Sequence, residues 1–370
     1  MLSDSQPYGF PDLVKDSNPE TVKQGIARQH VFEDTIGRRD FVQIAGAAVA
    51  TAASLSAPNW GQAKETSKNS SPESLVKVLH DSLDETQRAK VCFAWDYQDK
   101  RGLLRTHVSN NWSITDRDTM AVGGPFFTKD QQEIIEALFF GLYSPDWHDR
   151  IRKQLRDDAG GYGKQQTIAI FGEPGSDQYE FVMTGRHLTI RCDGNTTDHV
   201  AFGGPIFYGH AAQGFNEKPD HPGNVFWPQA LAANQLFTML DGKQRDQALI
   251  KVAPFEWEVG FQGNEKPIAG LPVSELARDQ KEHLQKVLGL LLEPYRASDQ
   301  LEARSCLKSL GGLEECRISF YQEDDLGNDE VWDIWRLEGP AFVWHYRGAP
   351  HVHVWVNIAD SPDVALNAAG

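Results

Sequence analysis

The chain has 370 residues, with 36 Lys+Arg against 52 Asp+Glu and a formal net charge of −16. So acidic a protein repels nucleic acid and anionic lipid, which excludes either as its main partner. A hydrophobic fraction of 40% with ten tryptophans suits a globular protein, and no later segment is apolar over the roughly 20 residues that a membrane-spanning helix needs.

Residues 1–63 read as an export signal with a long leader. Arg38-Arg39-Asp40-Phe41-Val42-Gln43 carries the paired arginines, a free position and Phe of a twin-arginine signal. The Ala-rich run from Ile44 to Leu55 follows, too short to span a bilayer, and Gly61-Gln62-Ala63 offers a small-x-small cleavage site, with Ala57 as an alternative. The alternative, a buried Ala-rich helix behind two surface arginines, leaves that ordered series unexplained. The expectation is folded export by the twin-arginine translocase, a periplasmic or secreted protein beginning near Lys64, and no stable membrane span after cleavage. The 37 residues before Arg38 are polar and are assigned no fold. Residues 64–73 read as a linker rich in Lys, Ser and Asn.

The remainder shows self-similarity. Ser82-Leu83-Asp84-Glu85-Thr86-Gln87-Arg88 resembles Met239-Leu240-Asp241-Gly242-Lys243-Gln244-Arg245, and Thr128-Lys129-Asp130-Gln131 resembles Ala277-Arg278-Asp279-Gln280. The second pair continues as apolar helices, Ile134-Ile135-Leu138-Phe139 and Leu284-Val287-Leu288-Leu291. A third match aligns Glu180-Phe181-Val182 with Glu330-Val331-Trp332 and Arg186 with Arg336. The offsets run from 149 to 157. This predicts an α+β fold of two similar halves, residues 74–222 and 223–370, each a helix, a helix and an antiparallel hairpin, related by internal duplication. A single irregular α+β domain with coincidental helix caps is the alternative.

No P-loop, dinucleotide fingerprint, nucleophile elbow or His-Glu-x-x-His helix occurs. None of Cys92, Cys192, Cys306 and Cys316 forms a Cys-x-x-Cys. Cys306 and Cys316 bracket a Gly-containing loop, so a disulfide between them stays open in an oxidising compartment. Pro350-His351-Val352-His353-Val354-Trp355-Val356-Asn357 alternates strictly, which sets three valines on one strand face and His351, His353, Trp355 and Asn357 on the other. Two imidazoles at i and i+2 point the same way and can chelate one metal ion; two solvated histidines are the plainer reading. Phe181 to Ile190 reads as strand, with His187 beside Gly185, a residue that marks a bulge or a close approach. Val200 to Pro205 ends in a Gly-Gly-Pro turn. Trp332, Trp335, Trp344 and Trp355 form either an aromatic platform for sugar rings or core packing.

Ile170-Phe171-Gly172-Glu173-Pro174, Gly185-Arg186-His187-Leu188, Phe202-Gly203-Gly204-Pro205 and His351-Val352-His353-Val354-Trp355, in this order, resemble an exported bacterial and fungal family, domain of unknown function 3500. The resemblance covers roughly Ser74 to Asp360 and implies no settled activity. It implies that His187, His351 and His353 belong to one site. Its pattern is Gly-His-His-Leu where this chain has Gly-Arg-His-Leu, so Arg186 marks either a lost ligand or a gained positive charge.

The leading expectation is therefore a metal-dependent hydrolase or oxidoreductase, with a divalent metal ion on His187, His351 and His353. Their nitrogens should fall within about twice the 2.0–2.1 Å metal–nitrogen distance of one another. Arg186, Glu173 and Glu323 are the candidate catalytic residues, with Asp325 a further acid, acting on a small-molecule or carbohydrate substrate. A non-catalytic binder of carbohydrate or cell-surface polymer would use the tryptophans. A metal-free enzyme would hold an anionic substrate with Arg186 and Arg336 and use His187 as base. Replacing Arg38 and Arg39 with Lys should leave unprocessed precursor in the cytoplasm, read by fractionation and immunoblot; normal export of that variant would contradict the signal.

Overall fold

The computed structural model describes residues 71–193, 199–211, 214, 218, 220–263, 267–324, 332–364 and 367. The twin-arginine motif, most of the expected linker, and Asp325, Glu330 and Val331 lie outside the described residues. Helix α1 (Pro72–Ser82) has proline in its first turn, where a missing N–H costs nothing, and buries Leu75, Val76 and Leu79. Helix α2 (Glu85–Val91) begins with a capping box: Asp84 accepts from the Gln87 backbone N–H at 2.8 Å, and Gln87 accepts from the Asp84 N–H at 3.0 Å. The chain passes into β1 (Cys92–Phe93), then a long connection holding the ladder β2 (Gln98–Asp99) with β3 (Gly102–Leu103) and the single turn α3 (Arg117–Met120). Helix α4 (Lys129–Gly141) repeats the box with Thr128 and Gln131, and the Gln131 and Gln87 amides then pair at 2.9 and 3.0 Å. Helix α5 (His148–Ala159) ends on left-handed Gly160. Four antiparallel strands follow: β4 (Thr167–Gly172), β5 (Tyr179–Gly185), β6 (Leu188–Cys192) and β7 (Ile206–His210).

A like series occupies the rest of the chain. Helices α6 (Trp227–Met239) and α7 (Gly242–Ala248) lead into β8 (Leu249–Ile250) and β9 (Leu271–Pro272). Helices α8 (Arg278–Leu292) and α9 (Ala297–Ser309) precede β10 (Arg317–Tyr321), β11 (Ile334–Gly339), β12 (Phe342–Arg347) and β13 (Val352–Ile358). Asp241 and Gln244 form the capping box of α7, and Gln244 pairs with Gln280 at 3.0 and 2.8 Å. The spacing expected of α8 holds. Leu284, Val287, Leu288 and Leu291 are all buried, each contributing about 1.5–3 kcal/mol relative to exposure.

All strands except β2 and β3 join one mixed 11-stranded sheet in the order β1-β4-β5-β6-β7-β13-β12-β11-β10-β8, with β9 on β10. The fold is α+β, as expected. The outer pairs β1–β4 and β8–β10 are parallel, and the central antiparallel pair is β7–β13, where Ile206 faces Val356. Cys92 pairs with Ile170 and Leu249 with Phe320, and the next strands set Phe181 and Trp335 opposite these. Phe181 is thus placed like Trp335, not Val331, because the connection from β10 to β11 is longer than the turn from β4 to β5. Arg336 consequently lies within β11, whereas Arg186 lies in a turn.

The helices pack on one sheet face, against residues such as Ile170, Met183, Val354 and Trp344. The opposite face is buried under the two long connections, through Leu104, Val108, Ile114 and Val259. Trp335, Trp344 and Trp355 are 0, 0 and 1% exposed, and Trp332 packs edge-on to Phe237. The three strand indoles are core and present no platform to sugar rings, while Trp332 is half-buried. No disulfide joins Cys306 to Cys316; both are buried thiols.

Replacing Gln131 with Leu takes a partner from the Ser82 carbonyl, the Thr128 N–H and the Gln87 amide together, though that amide keeps the Phe126 carbonyl and the Asp84 N–H. The expected loss is about 3 kcal/mol of unfolding free energy, read from the urea midpoint. A loss below about 1 kcal/mol would mean that the paired amides contribute little.

Candidate metal centre

Val352, Val354 and Val356 of β13 enter the helix-side core, so His351, His353 and Trp355 project from the other face, as alternation requires. His187 arrives differently from the expectation. Phe181 to Ile190 is not one strand: Gly185 pairs with Leu188, and Arg186-His187 is the two-residue turn of the β5–β6 hairpin. A Cβ on Gly185 would lie 2.9 Å from the Gln165 carbonyl oxygen, so the close approach read into this glycine is present. His187 has φ +48°, a left-handed conformation that a non-glycine residue adopts only where its surroundings demand it. Its backbone N–H donates to Asn111 Oδ1 at 3.1 Å. Gly209 leaves room for the ring, since a Cβ there would sit 3.2 Å from His187 Cδ2.

The three imidazoles meet. Nε2 of His353 lies 3.1 Å from Nε2 of His187 and 2.9 Å from Nε2 of His351. One ligand atom from each ring falls within 4.8 Å of the other two, and all three residues are buried. Two separations are inside the expected limit and the third is close to it. A tetrahedral ion with bonds of 2.0–2.1 Å needs nitrogens about 3.3 Å apart, so small ring movements complete the geometry.

Two carboxylates orient the rings, one of them buried (Asp158) and the other half-buried (Glu256). Asp158 Oδ2 lies 2.6 Å from His187 Nδ1, and Glu256 Oε2 lies 2.9 Å from His353 Nδ1. An ionised carboxylate only accepts, so Nδ1 of His187 and of His353 each carries a proton, which turns both Nε2 atoms toward the meeting point. Burial raises the pKa of Asp158, but the hydrogen bond and charge of His187, with Arg186, outweigh it and hold the acid below its ordinary range. Burial likewise acts on Glu256, and His353, Arg347 and Trp355 bring its pKa down. His353 is pushed down to about 3, chiefly by burial, so its ring is neutral. Two Nε2 atoms facing at 3.1 Å need a proton or a metal ion between them, since two bare lone pairs would repel. Carboxylate behind imidazole behind metal is also the usual support of histidine ligands. The described residues thus contain a buried histidine triad that can hold a metal ion, beside a cleft of about 410 Å³ lined by Asn110, Asn111, Arg186, Arg347, His351 and His353.

A family model for proteins of unknown function, DUF3500, matches residues 65–356. The chain belongs to the DUF3500 family. No curated protein and no solved structure matches it. In this DUF3500 chain Arg186, beside His187 in the hairpin turn, donates from Nε to Asp158 Oδ1 at 2.9 Å. The triad is complete without position 186, and Arg186 adds a positive charge at the cleft.

The other residues singled out in the sequence lie elsewhere. Glu173 is exposed beyond β4, at the opposite end of the β4–β5 hairpin from His187, roughly 20 Å along the strand. Glu323 is exposed and accepts from the Ala253 N–H at 2.8 Å, fastening the connection that carries Glu256. Arg336 is buried on β11, where Nε donates to His345 at 3.1 Å, so it forms no pair with Arg186. Asp158, Glu256 and Arg347 are the site residues that sequence reasoning missed. Asp158 had a signal: helical spacing aligns it with Ile151, Gln154 and Leu155, all buried. Glu256, between exposed Phe255 and Trp257, gave none.

Asp158→Asn and Glu256→Gln retain size but lose the charge that fixes each ring. Each should weaken metal retention by about 10–100-fold in chelator competition. Unchanged affinity in both variants would mean that these carboxylates do not support a metal.

Proposed function

We propose that this DUF3500 protein is an exported, metal-dependent enzyme, a hydrolase or oxidoreductase whose ion sits on His187, His351 and His353. The observation that carries the reading is the pair of carboxylates, Asp158 and Glu256, turning two imidazole Nε2 atoms toward one point. Three protein nitrogens leave a coordination position open, the arrangement of catalytic rather than structural sites. A divalent ion there would supply Lewis-acid chemistry, lowering the pKa of a water or polarising an oxygen. The protein's own part is to hold the rings, to wall the site with Phe207, whose ring centroid lies 5.2 Å from that of His353, and to open His351 and His353 to the cleft.

The twin-arginine signal fits this reading, because folded export lets a protein acquire its metal in the cytoplasm before transit. We infer also that the two halves of the sheet descend from one duplicated unit. The strand order that reads alike from either edge and the repeated glutamine pairs support this. The test of function is metal content by mass spectrometry after cytoplasmic and after periplasmic production. About one equivalent is expected in wild type and less than a tenth in His351→Ala and His187→Ala, with far-UV circular dichroism retained. Wild type should also melt at higher temperature as free metal rises. A purified chain that holds no metal and takes up neither zinc, manganese, copper nor cobalt would end the proposal.

A further inference from the structure

We propose that the ligand of this centre is a small molecule bearing an oxyanion, a carboxylate or phosphate group, clamped in the cleft by Arg347 and Arg186; this rests on the metal reading above. All four oxygens of the two site carboxylates are already engaged. Asp158 Oδ2 faces His187 Nδ1 at 2.6 Å and Gln154 Nε2 at 3.2 Å, while Oδ1 takes Arg186 Nε at 2.9 Å and the Ala211 N–H at 3.2 Å. Glu256 Oε2 faces His353 Nδ1 at 2.9 Å and Trp355 Nε1 at 3.3 Å, while Oε1 takes Arg347 Nη1 at 3.3 Å and Asn110 Nδ2 at 3.4 Å.

Donors, by contrast, are in surplus. Guanidinium offers five N–H groups and no acceptor. Arg347 Nη2 reaches the His351 carbonyl only at 3.4 Å, and its buried Nε has no hydrogen-bond partner among the described residues. Arg186 spends Nε on Asp158 and reaches the Ala211 carbonyl from Nη2 at 3.4 Å; its side chain is 33% exposed, on the cleft. A cleft rich in donors and poor in free acceptors is matched by a ligand made of acceptors, and planar guanidinium suits a carboxylate or phosphate edge.

Charge leads to the same class. The two arginines balance Asp158 and Glu256, with exposed Asp324 acting on Arg347 from outside. A metal-bound imidazole is neutral, so three such ligands leave the charge of a divalent ion uncompensated in a partly buried site, where an unpaired charge is costly. An anion in the cleft resolves both imbalances at once, and a neutral ligand of the same shape resolves neither. The whole chain carries −16, so this cationic spot is local rather than a property of the surface.

The test is titration calorimetry on the full exported chain, with metal content measured on every sample. The probes are acetate, inorganic phosphate and acetamide, the last a neutral match for acetate. At least one anion should bind, and acetamide about tenfold more weakly or not at all. The tighter of acetate and phosphate identifies the headgroup. On samples matched for metal content, Arg347→Gln should weaken the anion by at least about tenfold, and Arg347→Lys should recover part of the loss. Should Arg347→Gln fail to fold, Arg347→Lys and Arg186→Gln give the same reading. Acetamide binding as tightly as acetate, or anion affinity unchanged in the arginine variants, overturns the proposal. A sample with metal but no anion binding sinks the oxyanion inference alone. A sample without metal sinks the parent reading, and its anion titration still reads the arginine clamp.

Discussion

Asp158 is a fully buried carboxylate that answers donors from four directions, and the site stands on it. Its oxygens take the His187 ring, the Arg186 guanidinium, the Ala211 N–H and the Gln154 amide. Through them it ties the end of α5 to the β5–β6 turn and to the chain leaving β7. A buried charge without such partners costs several kcal/mol, so this corner either forms as a unit or not at all. That cooperative demand also explains why His187 is held at a positive φ. The turn is not relaxed by itself; it is imposed by hydrogen bonds that His187 donates, from its backbone N–H to Asn111 and from its ring to Asp158.

A second buried ion pair governs the cover of the sheet. Arg191 Nε donates to the Pro205 carbonyl at 2.7 Å, Nη2 to the His107 carbonyl at 2.6 Å and Nη1 to Glu180 at 3.0 Å, with the Arg105 carbonyl as a further acceptor. Burial raises Glu180 to about 8, against the opposing pull of Arg191 and Arg105. One guanidinium thereby pins the connection between β3 and α3 onto the sheet. The same connection delivers Asn110 and Asn111 to the cleft. The helix layer is held by apolar area, whereas the loop layer above the site is held by polar bonds to a few charged side chains.

What could be read from the sequence follows from which forces act locally. The valine alternation of β13 fixed the direction of His351 and His353, because a strand has only two faces. The Asp84–Gln87 and Thr128–Gln131 helix starts were legible because a capping box closes within four residues. The hairpin at Arg186-His187 was not legible, since Gly185 and a positive-φ histidine carry the turn without the usual Asn-Gly pair. Alignment by residue type slipped by four positions at β11 because the length of a connection is invisible to matching strands. Glu256 was hidden for a different reason. Its partners, His353, Trp355, Arg347 and Asn110, are distant in sequence, and nothing in Phe255-Glu256-Trp257 marks a half-buried acid.

The central pair of Ile206 and Val356 divides the sheet into two ends that are alike in strand order and unlike in chemistry. Counting back from Val356 reaches His353 and His351; the same steps back from Ile206 reach Gly203 and Ala201. Near those small residues, Val200, Ala341 and Ala359 form a compact apolar cluster of their own. One corner of the scaffold is a plug and the other a workplace. Selection can therefore act on the two corners separately, so that changes at Ala201 or Gly203 register as lost stability and changes at His351 or His353 as a lost place for an ion.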